Sequence, residues 1–247
     1  MKDKVVIGWI DGGTVHTGFA AHLAQILLHR GDRIDSVVAS SSPYLSHNRN
    51  MMVQNFLATS AEWLLSLDSD ICVDLDSFDA LLELADKKTH PIVGGKYFLP
   101  LNNGQNVVVS ATTWDRANPG KYIFIPTYEA PTPVENLHAI GLGYGLIHRS
   151  IFESVAKRYP DNPWPWFQDE YRADLDNWVS DDMHFFDKVH KLGDINVTLC
   201  TAANSIHLKT AQVTESAFLR VTTPHSHHGD FGAPKKISWW AKGKGHK

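Results

Sequence analysis

Trp63-Leu64-Leu65-Ser66-Leu67 is an almost unbroken apolar run that stops on Asp68-Ser69-Asp70. A strand this greasy on both faces belongs inside a parallel sheet covered by helices on each side. Its C-terminal end then delivers Asp68 and Asp70 to the edge where open α/β sheets bind ligands. Two carboxylates there cost desolvation energy unless a cation or a hydrogen-bond donor meets them. Hard oxygen ligands suit Mg²⁺ or Mn²⁺, which usually keep substrate phosphates in the same coordination sphere. The first expectation is a metal–diphosphate site. Asp-x-Asp alone recurs by chance, so its surroundings must decide.

Val5 to Ile10 repeats the apolar pattern and breaks at Asp11-Gly12-Gly13-Thr14. Thr17 to Arg30 predicts a helix with Phe19, Leu23, Ile26 and Leu27 on one face and Gly31 as its stop. A second strand, Ile34 to Ala39, and a second helix, about His47 to Thr59, precede the Trp63 strand. Asp76 is a candidate cap for a helix in which Phe78, Leu81, Leu82 and Ala85 share a face. Alternation of this kind predicts a right-handed βαβ sheet.

After Pro91-Ile92-Val93-Gly94-Gly95-Lys96-Tyr97 the texture changes. Val107 to Ala111 and Tyr122 to Ile125 are short runs among Gly, Pro and Asn, which suits antiparallel additions. Leu137 to His148 reads as a strand interrupted by Gly141, Gly143 and Gly145, followed by a short helix from Ser150 to about Lys157. An aromatic loop, Pro163-Trp164-Pro165-Trp166-Phe167, leads to Ser180-Asp181-Asp182 and an amphipathic helix ending near Gly193. Ile195 to Cys200 is a last strand, with His207 just beyond.

A chain of 247 residues fits one large α/β domain or two small ones. A formal net charge of −4 argues against a general nucleic-acid binder. The first apolar run is too short for a signal peptide, and no stretch approaches the roughly 18 to 20 apolar residues of a membrane span. Cys72 and Cys200 match no metal-finger or redox spacing. The expectation is a cytoplasmic protein with reduced thiols and no integral membrane segment.

Three segments in order resemble the GT-A glycosyltransferases, particularly short bacterial and phage members similar to family 2. They are Arg49-Asn50 with the run ending in Asp68-Ser69-Asp70; Gly141-Leu142-Gly143-Tyr144-Gly145-Leu146-Ile147-His148-Arg149-Ser150-Ile151-Phe152; and Ser180-Asp181-Asp182-Met183-His184-Phe185-Phe186, with His207 after the next strand. The resemblance covers residues 1–210. It implies an α/β GT-A fold, a mostly parallel sheet flanked by helices with a small antiparallel addition. Residues 1–100 would be a nucleotide-binding half, 101–210 an acceptor and catalytic half, and 211–247 a lid or flexible basic tail.

The resemblance further implies a nucleotide-sugar donor, with UDP the default nucleotide, held through Mn²⁺ or Mg²⁺ by its diphosphate. Asp68 would meet the donor ribose or the metal shell, and Asp70 the metal, with His207 as a further ligand. Asp182 would be the general base that takes the proton of an acceptor hydroxyl. Asp181 stands where relatives usually carry Glu and would orient the acceptor or its neighbour. Arg49 would face the nucleotide, Asp11, Gly12 and Thr14 would line the nucleoside pocket, Lys96 would line the donor sugar, and Lys209 would reach a phosphate. The acceptor would be a hydroxyl of a protein or glycan, with Ser or Thr of a phage virion protein as one instance.

Plainer readings stay open at each position. Carboxylates in the first turn of a helix are stabilised by its dipole by about 0.3–1 kcal/mol whatever else they do. Gly12 and Gly13 serve a tight turn as well as a ligand. Trp164, Trp166 and Phe167 fit either a sugar platform or core packing. His225, His227 and His228 compete with His207 for the metal, and Trp239 and Trp240 lie in a lysine-rich tail. Two other functions also remain. A sugar-phosphate nucleotidyltransferase uses carboxylate-bound metal, but Asp11-Gly12-Gly13-Thr14-Val15-His16 lacks the basic residues of its phosphate loop. A non-catalytic sugar-binding module would retain the fold without turnover. Donor sugar, stereochemical course and oligomeric state are not legible.

Overall fold

The computed structural model describes residues 4–101, 106–117, 121–172 and 177–209. The histidines and tryptophans singled out beyond residue 209 lie outside the described residues.

The chain opens with β1 (Val5–Asp11), α1 (Thr17–Arg30), a 3₁₀ turn (Gly31–Arg33), β2 (Ile34–Ser41) and α2 (Leu45–Leu57). Next come β3 (Trp63–Asp68), β4 (Ile71–Cys72), α3 (Leu75–Leu84) and β5 (Ile92–Lys96). Five short strands follow: β6 (Phe98–Leu101), β7 (Asn106–Val109), β8 (Ala111–Trp114), β9 (Tyr122–Phe124) and β10 (Ala139–Ile140). Then come β11 (Tyr144–His148), α4 (Arg149–Arg158), β12 (Glu170–Arg172), β13 (Asn177–Val179), α5 (Asp181–His190), β14 (Val197–Asn204) and β15 (Ile206–His207).

A six-stranded sheet in the order β14-β5-β11-β3-β1-β2 forms the frame. Five of its strands run one way, and β11 is antiparallel to both neighbours. The apolar runs split by period two. Val6, Ile10 and Leu64 join a core with Phe56, Phe152, Phe185 and Phe186. Val5, Ile7, Leu65 and Leu67 join one with Phe19, Ile26, Phe78 and Leu81 on the opposite face. Helices therefore cover both faces, which is why the strands carry no polar side. Burying each such side chain is worth about 1.5–3 kcal/mol.

Local details depart from expectation in several places, among them the expected strand Val107–Ala111, which is divided between β7 and β8 in different sheets. Gly31 is right-handed (φ −57°), so α1 runs on into the 3₁₀ turn and has no left-handed glycine stop. Leu27 is exposed, whereas Phe19 and Ile26 are buried. The cap of α3 is Asp74, which accepts from Ser77 N at 2.8 Å; Asp76 sits inside the first turn. The expected glycine-broken strand is two strands in different sheets, β10 beside β8 and β11 between β3 and β5.

The aromatic loop is also resolved. Trp166 and Phe167 are core residues; Trp166 Nε1 donates to Phe152 O at 2.9 Å, and Phe167 packs on Phe185. Both belong to packing, not to a sugar platform. Trp164 stays half-buried against His47.

Candidate active site

The ends of β1, β2 and β3 enclose a cleft of about 360 Å³ lined by Asp11, Gly12, Ser42, Asn48, Arg49, Asp68, Asp70 and Lys209, among others. This is the carboxyl edge of the parallel strands, where a sheet of this kind binds ligands. Three loops are fastened together there. His16 N donates to Ser69 O at 3.1 Å, joining the loops after β1 and β3. Asn48 Nδ2 donates to Ser42 O at 2.9 Å, and Asn48 Oδ1 accepts from Ser40 Oγ. The Asp11 carboxyl accepts from Gly13 N and Trp9 Nε1. Hydrogen bonds, led by Ser41, hold it below its ordinary value. Gly13 sits at φ +102°, a conformation that favours glycine.

Asp68 is held from several sides. Its N–H donates to Gly143 O at 3.0 Å, and Arg49 Nη2 lies 3.6 Å from its Oδ1. A Cβ added to Gly143 would stand 2.7 Å from Asp68 Oδ2, so this glycine leaves the room the carboxylate uses. Burial raises the Asp68 carboxyl above its ordinary value, and Arg49 opposes the rise.

Asp70 and His207 meet because β15 pairs with β4, with His207 opposite Ile71 and Leu208 N donating to Asp70 O at 2.8 Å. His207 Nδ1 donates to Phe98 O at 2.7 Å, which leaves Nε2 as the free ring nitrogen. Nε2 is buried without a hydrogen bond and lies 3.3 Å from Asp70 Oδ2. A histidine anchored through one nitrogen to a carbonyl, with the other facing a carboxylate, is built like a metal ligand. Two ligands at right angles on a cation with bonds of about 2.1 Å would sit about 3 Å apart. Asp70 Oδ2 and His207 Nε2 would together hold a cation such as Mn²⁺ or Mg²⁺, with Lys209 displaced from that Asp70 oxygen. Among the described residues no three His, Cys, Asp or Glu side chains converge, so the protein alone does not form a closed cage. Lys209 Nζ donates to the same Asp70 Oδ2 at 2.7 Å, which puts a positive charge at the cleft mouth.

Asp181 and Asp182 open α5, and the structure separates them. Asp181 is 1% exposed and lies 3.5 Å from Arg49 Nη1. Burial pushes its carboxyl up to about 6, against the pull of Arg49. Asp182 is half-buried. Ser180 Oγ and Met183 N both donate to its Oδ1, and its Oδ2 has no hydrogen-bond partner among the described residues. Asp182 lines a second cleft, of about 270 Å³, with Ser180, Met183 and the β8–β9–β10 sheet.

Two expected positions fall elsewhere. Lys96 is buried, with Nζ 4.9 Å over the Tyr128 ring, and is outside the lining of both clefts. Thr14 is exposed and also outside the cleft lining. Asn48 was missed by sequence reasoning, and Asn50 was quoted only as part of a motif, with no role. Asn50 is buried and exchanges hydrogen bonds with Phe167 O and Phe167 N. Their signal was present: Asn48-Arg49-Asn50 are three consecutive buried polar residues at the start of a helix, where a core-facing helix would carry apolar ones.

No family model and no curated protein matches the chain. Among solved structures, A197 from STIV superposes with a TM-score of 0.54 at 16% identity, over 84% of this chain and 87% of that one. The structure of GalNAc-T7 with UDP, GalNAc and Mn²⁺ superposes at 0.53 with 11% identity, over 83% of this chain. The match spans 43% of the GalNAc-T7 chain, less than half its length. What these likenesses establish is architecture: the chain has the GT-A fold, a mostly parallel sheet flanked by helices with small antiparallel sheets.

Proposed function

We propose that the protein is a cation-assisted glycosyltransferase that moves a sugar from a nucleotide donor, by default a UDP-sugar, to a hydroxyl acceptor. The observation that carries this reading is the pairing of Asp70, which lines the cleft with Asp68, with His207 Nε2, a buried nitrogen without a hydrogen bond 3.3 Å away. The nucleoside lies among Asp11, Gly12, Asn48 and Arg49, and the diphosphate faces Lys209. Residues 1–100 carry the nucleotide, residues 101–210 the acceptor and the base, and 211–247 act as a lid or tail. Thr14 and Lys96 are the weakest members of the expected set, since neither lines the cleft.

The cation would be held by Asp70 and His207, with Asp68 beside them, and would neutralise charge on the departing diphosphate. Asp182 receives the acceptor proton. The acceptor oxygen bonds to the anomeric carbon, the bond from that carbon to the phosphate oxygen breaks, and its electron pair leaves with the nucleoside diphosphate. Ser180 Oγ and Met183 N, both donating to its Oδ1, hold the Asp182 carboxylate oriented for this step. Asp181, buried against Arg49, positions that guanidinium and the start of α5. The acceptor is a protein or glycan hydroxyl, with Ser or Thr of a virion protein as the specific instance.

The test is donor binding and hydrolysis across a panel of nucleotide sugars, with Mn²⁺ and with EDTA, on wild type and Asp70→Ala. Metal-dependent turnover of one donor, lost in the variant, is the expected result. Failure to bind any donor would overturn the reading and bring forward the nucleotidyltransferase, assayed with sugar phosphate and nucleoside triphosphate.

A further inference from the structure

The second cleft has an unusual chemical balance. It is lined by Leu99, Ala111, Ile123, Phe124, Ile140 and Met183, together with Ser110, Thr112 and Tyr122, and the one carboxylate or cation in its lining is Asp182. Its floor is the three-stranded sheet ordered β10-β8-β9. In that sheet β9 is an edge: it pairs with β8 on one side, and its other side carries no strand among the described residues. Ile123 and Phe124 on this edge are 47% and 38% exposed, although both line the cleft.

An open strand edge offers a row of backbone donors and acceptors to any extended chain that lies beside it. Apolar side chains along that edge select apolar neighbours, and unpaired charges entering the cleft would lose their hydration. The volume of about 270 Å³ is below the roughly 300–1,000 Å³ of a pocket that encloses a whole drug-sized ligand. It accommodates a side chain or two of a longer partner. Asp182 stands at this same cleft as the proton acceptor.

We propose that the second cleft, with the edge of β9 that carries no strand among the described residues, binds an extended, uncharged protein segment that presents a Ser or Thr hydroxyl flanked by apolar residues to Asp182. This rests on the transferase reading for its chemistry, but the binding itself does not. The segment adds a strand beside Tyr122–Phe124, places an apolar side chain against Ile140 and Met183, and brings the hydroxyl to the carboxylate.

The experiment uses the full chain without donor and two fluorescein-labelled peptides, Val-Ala-Thr-Val-Ala and Lys-Ala-Thr-Lys-Ala, read by anisotropy. The apolar peptide should bind at least tenfold more tightly, and Ile123→Asp should reduce or invert that ratio. A ratio is insensitive to the fraction of variant that folds. Equal binding, no binding of the apolar peptide, or a ratio unchanged in Ile123→Asp would overturn the proposal. Donor hydrolysis measured separately reports on the transferase reading, so either can fail while the other stands.

Discussion

Arg49 Nη1 lies 3.5 Å from Asp181 Oδ1, a pair formed across 132 residues of chain and closed from water on both sides. The same guanidinium reaches Asp68 at 3.6 Å, so one cation ties the loop bearing Asp68 and Asp70 to the helix bearing Asp182. The arrangement couples the cleft lined by Asp68 and Asp70 to the cleft lined by Asp182 through a single buried charge.

Removing that charge leaves two carboxylates short of a partner in a buried setting. Arg49→Met should therefore destabilise the fold by about 3–5 kcal/mol, and Arg49→Met combined with Asp181→Asn should recover part of the loss. Urea unfolding of the three proteins decides it. A loss under about 1 kcal/mol would mean that the pair is not the link described.

Asp181 makes stability depend on pH in a defined direction. Its folded-state value is raised from 3.8 to about 6, so the native state holds this proton more tightly than the unfolded chain does. The contribution is fully present below about pH 4 and is lost as pH rises through 6. Two pH units correspond to about 3 kcal/mol. Relative to Asp181→Asn, which does not titrate, wild type should lose about that much stability between pH 4 and pH 7. A flat difference in unfolding free energy across that range would contradict the assignment.

Gly143→Ala places a methyl group 2.7 Å from Asp68 Oδ2 and 3.1 Å from its Cγ. Asp68 must move, while the fold tolerates one added carbon. UDP affinity in the presence of Mn²⁺ should fall about tenfold, equivalent to about 1.4 kcal/mol, as read by titration calorimetry. Unchanged affinity would show that the position of Asp68 does not matter to the donor.

His207→Ala should raise the Mn²⁺ concentration needed for half-maximal donor hydrolysis by at least about tenfold, since the proposed ligand, whose orientation is fixed by Phe98 O, is lost. Asp182→Asn should leave that concentration alone and lower kcat by about 10²–10⁴-fold. If both substitutions moved the same parameter, metal and base would not be separate functions.

The helical and strand order was legible because the period changes are strong: Val5–Ile10 and Trp63–Leu67 are apolar throughout, and α1 begins and ends where its pattern does. The direction of β11 was not legible. A strand buried on both faces reads as the same apolar run whether its neighbours are parallel or antiparallel. The α3 cap went to Asp74 because two aspartates two residues apart offer the same chemistry, and only the entry angle of the chain selects one. Trp166 and Phe167 were ambiguous for a similar reason, since large aromatics suit a core and a sugar equally.

By itself the sequence determined the α/β alternation, the delivery of Asp68 and Asp70 to a sheet edge, and the placement of Asp181 and Asp182 at a helix start. Those features are local: hydrophobic period, strand end and cap chemistry act over a few residues. Only the tertiary structure decided that Asp181 is sealed against Arg49 while Asp182 opens into a cleft. It also decided that His207 turns Nε2 toward Asp70, and that Lys96 stacks on Tyr128 away from the cleft. These outcomes depend on burial and on partners far along the chain. Neighbouring aspartates with the same local chemistry acquire different roles once one is desolvated and the other is not.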